Sequence, residues 1–239
     1  KESLDLSCFN IAGQAIVNSK SEKMEVESAK CIRLTDEKAK YCKISFKAEA
    51  KNAGGYLLIN DQYDIPVNSV SIMEIKTPIE LHVKLVVSAE SELQVRELSF
   101  EPLEEYEDLV EKCDVSNNVL VVTPNYPSSS NLYLCAFAHS RNREYKSAGV
   151  NLQVASISAY NWFETLYTID GISVFKGTYE SLKRLLSTRR YKVTVTHFVD
   201  EHLFSIYDGY TYPSDRMIFI CHGPETVYRY LVNVTRPYF

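Results

Sequence analysis

The sequence predicts a two-domain chain: an antiparallel β-sandwich of jelly-roll type, followed by an α/β domain built on a doubly wound parallel sheet. Three observations predict it. Residues 1–102 alternate apolar and polar side chains in short runs. Residues 103–117 are acidic with apolar residues at helical spacing. From residue 118 onward, continuous apolar runs alternate with helix-like segments. The expected organisation is a β-sandwich accessory domain at 1–102, a helical linker at 103–117 and a parallel-sheet domain at 118–239.

In the first part, Ser28–Leu34, Tyr41–Ala50, Gly55–Ile59, Ile79–Ser88 and Glu92–Phe100 show the period-two pattern of half-buried strands. In the fourth of these, Ile79, Leu81, Val83, Leu85 and Val87 share one face. Asn52–Gly55 and Asn60-Asp61 supply turn chemistry. Many short antiparallel strands joined by turns imply a sandwich. In the linker, Leu103, Tyr106, Leu109, Val110 and Cys113 fall at helical spacing before a turn at Ser116–Asn118.

In the second part, Val119–Thr123 is apolar throughout and stops at Pro124, the mark of a strand covered on both faces. Asn131 then caps a helix over 132–147, which Gly149 closes. Val150–Ile157 is the next strand. Asp170-Gly171 within Tyr167–Lys176 reads as a hairpin or tight turn. Thr178 caps a helix through Leu182, Leu185 and Leu186. Lys192–Thr196, a short helix near Glu201–Tyr207 and the strand Arg216–Cys221 complete a strand–helix alternation.

Composition narrows the function. Of 239 residues, 45% are apolar and 24% charged, ordinary for a globular chain. The net charge of -5 and the absence of a basic stripe argue against nucleic-acid binding, which depends on neutralising phosphates. Lys183, Arg184, Arg189, Arg190 and Lys192 read as a solvated helix end. The six cysteines form no C-x-x-C pair, so their spacing predicts no metal site, and a reducing compartment is the simpler reading. A Cys31–Cys42 bridge is the one pairing considered. Nothing resembles a signal peptide or a membrane span. The chain begins at Lys1, and Thr235–Phe239 closely follows a strand, so both ends read as cuts from something longer.

Ligands of open α/β sheets bind beyond the carboxyl ends of the strands. Those ends are Asn125–Asn131, with Ser128, Ser129 and Ser130; His197–Asp200; and His222-Gly223-Pro224-Glu225. Two histidines and two carboxylates are thus expected on one rim. The serine loop either cradles a phosphate at a helix N-terminus or is simply a turn. Asp200 either faces the ligand or caps the next helix. His82, His139 and His202 read as structural. No dinucleotide fingerprint, P-loop or nucleophile elbow occurs.

These segments resemble a known family. Val119–Tyr133 (VLVVTPNYPSSSNLY), Phe137–Arg141 and Tyr145–Val150 resemble the opening of family 4 glycosyltransferases of the two-Rossmann (GT-B) fold. Tyr191–Phe204 (YKVTVTHFVDEHLF) and Phe219–Glu225 (FICHGPE) resemble its later strands ending in His and His-Gly. The resemblance implies a Rossmann-like first lobe and sugar transfer from a nucleotide-sugar donor to a glycan or lipid-linked acceptor. It implies retention of configuration, no metal or other cofactor, and a role in bacterial-type surface or exopolysaccharide synthesis.

By position, His222 matches the family's catalytic His beside the donor sugar, and Gly223 lets the backbone approach the ligand. Asn125, Ser128, Ser129, Ser130, His197, Asp200 and Glu225 are the substrate-binding candidates. The loop Asn125–Ser130 departs from the family pattern by lacking glycine. The second lobe is absent, so the isolated chain is expected to be inactive. The full-length enzyme would be cytoplasmic, associating peripherally with the inner face of the membrane. The β-sandwich is similar to modules that accompany polysaccharide-processing enzymes and would bind carbohydrate, tether a partner or support the enzyme. Two alternatives stand beside this reading: a non-catalytic carbohydrate-binding scaffold, and a flavodoxin-like domain.

Overall fold

A computed structural model describes residues 2–3, 16–18, 24–27, 31–51, 54–88, 91–114, 116–209 and 214–222. The chain divides into two compact units. One comprises residues 1–109, 127–134 and 165–169; the other comprises 110–126, 135–164 and 170–239.

The first unit holds strands β1 (Glu2–Ser3), β2 (Ile16–Asn18), β3 (Met24–Glu27), β4 (Ile32–Leu34), β5 (Tyr41–Lys51) and β6 (Gly55–Ile59). It continues with β7 (Tyr63–Pro66), β8 (Ser69–Glu74), β9 (Ile79–Leu81), β10 (Val83–Val87) and β11 (Glu92–Leu103). Strands β1, β11, β5 and β8 lie in that order in one sheet, with β2 also on β11. A second sheet runs β3-β10-β6-β7, and β4 with β9 forms a two-stranded ribbon. These pairs are antiparallel.

Alternation explains the core. Cys42, Ile44, Phe46 and Ala48 of β5 are buried, as are Leu57 and Ile59 of β6 and Leu85 and Val87 of β10. Asn60 (φ 50) and Asp61 (φ 54) turn β6 into β7 with left-handed backbones that Asn and Asp tolerate. The run Ile79–Ser88 is two strands, not one. At His82 the backbone N–H donates to Asn60 Oδ1 (2.8 Å) and the carbonyl accepts from Asn60 N–H (2.8 Å). The chain thereby leaves β4 and joins β6. Cys31 and Cys42 are not bridged. Cys42 lies inside the sheet, where burial pushes its thiol up to about 12.

In the second unit, β12 (Val119–Thr123), β13 (Leu152–Ile157), β15 (Ile172–Gly177), β16 (Tyr191–His197) and β17 (Ser214–Ile220) pair in parallel. Their order is β15-β13-β12-β16-β17. Helices α1 (Ala136–Ser147), α2 (Tyr179–Thr188) and α3 (Glu201–Gly209) accompany them. Leu120, Val121, Val122, Val154 and Ala155 are wholly buried, consistent with uninterrupted apolar strands. Thr178 and Ser181 form a reciprocal capping box at the start of α2. The helix expected over 132–147 begins at Ala136. Asn131 Oδ1 accepts from Tyr133 N–H instead, making a local turn, and Cys135 enters the helix with a left-handed backbone (φ 48). The linker is extended to Leu103 within β11 and then makes one 3-10 turn at Leu109–Lys112. Arg189 donates to the carbonyls of Val110, Cys113 and Asp114 at its end.

The expected fold class is corrected here. The chain is mostly strand, with antiparallel and parallel pairings, and only three short helices occur among the described residues. It is not a β-sandwich followed by a Rossmann-like α/β lobe of the GT-B type. The decisive segment joins β13 to β15. A doubly wound domain needs a covering helix in each crossover. Here that segment carries a strand, β14 (Glu164–Ile169), and residues 165–169 belong to the first unit, beside β8. Ser71 Oγ meets Thr165 Oγ1 at 2.9 Å there. The turn at Asp170 (φ 49) and Gly171 (φ 70), read from the sequence as a hairpin or tight turn, separates β14 from β15 along the chain.

Candidate functional site

Parallel pairing fixes which side chains gather in the second unit. Thr123 of β12 aligns with Ser156 of β13, Ile157 of β13 with Gly177 of β15, and His197 of β16 with Ile220 of β17. The segments that leave these ends are 124–126, 158–163, 178–179, 198–200 and 221–222. The described loops after the strands therefore emerge on one edge.

Two clusters form there. In the first, His197 Nδ1 and His222 Nε2 are 2.9 Å apart, so one ring donates and the other accepts. Phe198 stacks on His222 at 4.1 Å, and Phe137 at the start of α1 packs against His222 at 4.9 Å. Phe198 holds a left-handed backbone (φ 53), an uncommon state for a bulky residue. His197 is buried. Loss of water around it, then His222, then Arg141, disfavour its protonated form and hold it at about 4, against an ordinary 6.5. The imidazole is neutral at pH 7. Among the described residues, no third His, Cys, Asp or Glu stands close enough to complete a metal site with this pair.

The second cluster is aromatic. The loop after β13 presents Tyr160 (87% exposed) and Trp162 (76%) to solvent. Its backbone is pinned. Asn161 Nδ2 donates to the carbonyls of Ser156 (3.3 Å) and Gly177 (2.7 Å), Tyr160 N–H to Ser158 Oγ, and Ser158 N–H to Gly177 O. Tyr179 OH donates to Asp200 Oδ2 at 2.7 Å, and its ring lies 5.4 Å from His202. Burial first, then the Asp200 carboxylate, keeps the Tyr179 phenol protonated far above its usual range. Asp200 does two jobs, since its Oδ1 also accepts from Leu203 N–H and caps α3.

The sequence-predicted residues are thus distributed. His197 and His222 meet, and Asp200 lies on the same edge. Asn125 sits just beyond β12, where its carbonyl accepts from Thr123 Oγ1. Ser128, Ser129 and Ser130 belong to the first unit. There Ser129 Oγ accepts from Val67 N–H, Ser130 Oγ donates to Asp64, and Ser128 Oγ meets Ser130 Oγ. These hydroxyls anchor the β7 end. Gly223 and Glu225 lie outside the described residues, as do 28–30 and 52–53 of the expected strands and turns. His139 is structural: it joins Tyr126 OH (2.8 Å) to Asp170 (3.1 Å). Sequence reading missed Tyr160, Trp162, Tyr179 and Phe137. The signal was present in Tyr160-Asn161-Trp162-Phe163 directly after a buried strand.

No family model matches the chain, and no curated protein does. Among solved structures it is similar to the Glycosylation Associate Protein (Gap123) complex from Streptococcus agalactiae, at 12% identity over 82% of this chain and 74% of that one. The TM-score is 0.21, too low to carry fold or function. No helix among the described residues is long and apolar enough to cross a membrane.

Proposed function

We propose that the chain recognises carbohydrate at the strand-end edge of its second unit and holds it without transferring it. The observation that supports this is the pinned loop presenting Tyr160 and Trp162. Flat aromatic rings offer large, rigid contact area at little entropy cost, and an amphipathic rim suits a ligand with one apolar and one hydroxylated face. Tyr179, Asp200 and His202 add donors and acceptors on the same edge.

Trp162 is the single tryptophan, so its emission reports binding directly. Oligosaccharides built from glucose, N-acetylglucosamine and N-acetylgalactosamine are titrated onto the chain. A saturable change in emission is expected, and Tyr160→Ala should weaken binding about tenfold, or ~1.4 kcal/mol. By calorimetry, Trp162→Ala should do the same. No saturable response to any of these glycans would refute the proposal.

One observation favours a second reading, glycosyl transfer with His222 beside the donor sugar: the hydrogen-bonded His197–His222 pair can accept or relay a proton. The expected outcome for this chain is no release of UDP or GDP from the corresponding sugars. Turnover that is lost in His222→Ala would establish the enzyme instead.

A further inference from the structure

The β4–β9 ribbon of the first unit carries a cluster that neither function uses. Ile32 pairs with Leu81 and Arg33 with Glu80. Ile32, Leu34 and Leu81 are buried, so the opposite face of the ribbon meets solvent. One step beyond the last printed pair stand Cys31 and His82, with Glu80 diagonal to Cys31 on the same face. One ligand atom each from Cys31, Glu80 and His82 lies within 4.8 Å of the other two. Arg33 Nε holds Glu80 Oε1 at 2.7 Å, which orients the carboxylate and leaves its second oxygen open.

We propose that Cys31, Glu80 and His82 bind a zinc-type divalent cation, with water completing a tetrahedral shell. A thiolate, an imidazole and a carboxylate form a ligand set that suits Zn²⁺ and disfavours Ca²⁺ or Mg²⁺, which take oxygen ligands only. Cys31 Sγ lies 3.3 and 3.7 Å from the two ring nitrogens, hence in line with neither lone pair. Binding requires the exposed His82 ring to turn about χ2. The backbone is already set, because both His82 main-chain groups are held by Asn60. Binding releases the thiol proton, so affinity rises with pH.

The test uses the whole chain, stripped with chelator and titrated with Co²⁺. One Co²⁺ per chain is expected, with a thiolate-to-cobalt charge-transfer band that Zn²⁺ abolishes. Cys31→Ser should remove the band. His82→Ala should weaken binding beyond the ~10–100-fold that loss of a mere outer-shell partner costs. Both positions face solvent, so far-ultraviolet circular dichroism should be unchanged. As a second readout, Zn²⁺ should protect Cys31 from alkylation, mapped by mass spectrometry. Absence of a thiolate band, its survival in Cys31→Ser, or alkylation of Cys31 unaffected by Zn²⁺ would each overturn the proposal.

Discussion

Replacing His197 by Asn should flatten the chain's acid sensitivity above pH 5. The Asn side chain ends near the position of Nδ1, so it can keep a hydrogen bond to His222 while removing the titration. His197 sits at about 4 in the folded chain and near 6.5 when unfolded. The unfolded state therefore binds the extra proton first as pH falls. The stability linked to His197 is complete above pH 6.5 and is lost as pH drops through 4. Linkage gives a loss of roughly 2 kcal/mol between pH 7.5 and 5, and about 3 kcal/mol by pH 4. Most carboxylates remain ionised down to pH 5, and the other four histidines are common to both proteins. Urea unfolding at pH 7.5, 6.5, 5.5 and 5 would measure the difference. Equal pH slopes for wild type and His197→Asn would refute the claim that burial keeps this ring neutral.

Two further changes separate cap from ligand and core from surface. Asp200→Ala removes both the α3 cap and the acceptor for Tyr179, so it should cost about 1–2 kcal/mol in urea unfolding and lower the Tyr179 pKa in a spectroscopic titration. Asp200→Asn should recover most of the stability, because Asn caps nearly as well. Tyr126→Phe takes the acceptor from buried Asn142 Nδ2 and the partner from His139, so it should cost about 1–3 kcal/mol. Exposed Tyr145→Phe should change stability by no more than ~0.5 kcal/mol.

What the sequence revealed follows from how far apart its signals lie. Val119–Thr123 announced a strand covered on both faces, and His197 and His222 could be placed at strand ends, because these features are local. Ser128–Ser130 could not be placed. Their partners, Asp64 and Val67, are more than 60 residues away, and a serine run after a strand looks the same whether it cradles phosphate or anchors another sheet. β14 was legible only in part, through the hairpin or tight turn read at Tyr167–Lys176. Thr165–Ile169 has the period of a strand, but only its place beside β8 in the first unit shows that it replaces a crossover helix. Spacing rules for metal sites likewise miss Cys31 and His82, which are 51 positions apart and adjacent only through strand pairing.

The first unit is stitched from three separate stretches, the last ending at residue 169. Its β8 edge stays uncovered until β14 leaves the ribosome, some 60 residues after residue 109. At translation speeds of 5–20 residues per second, that is roughly 3–12 seconds. During that interval the nascent chain exposes a bare strand edge, the surface most prone to pair with a neighbour. Expression of 1–118 alone would freeze the protein in that state. Sound truncations of this chain therefore have to keep β14 rather than stop at the acidic segment.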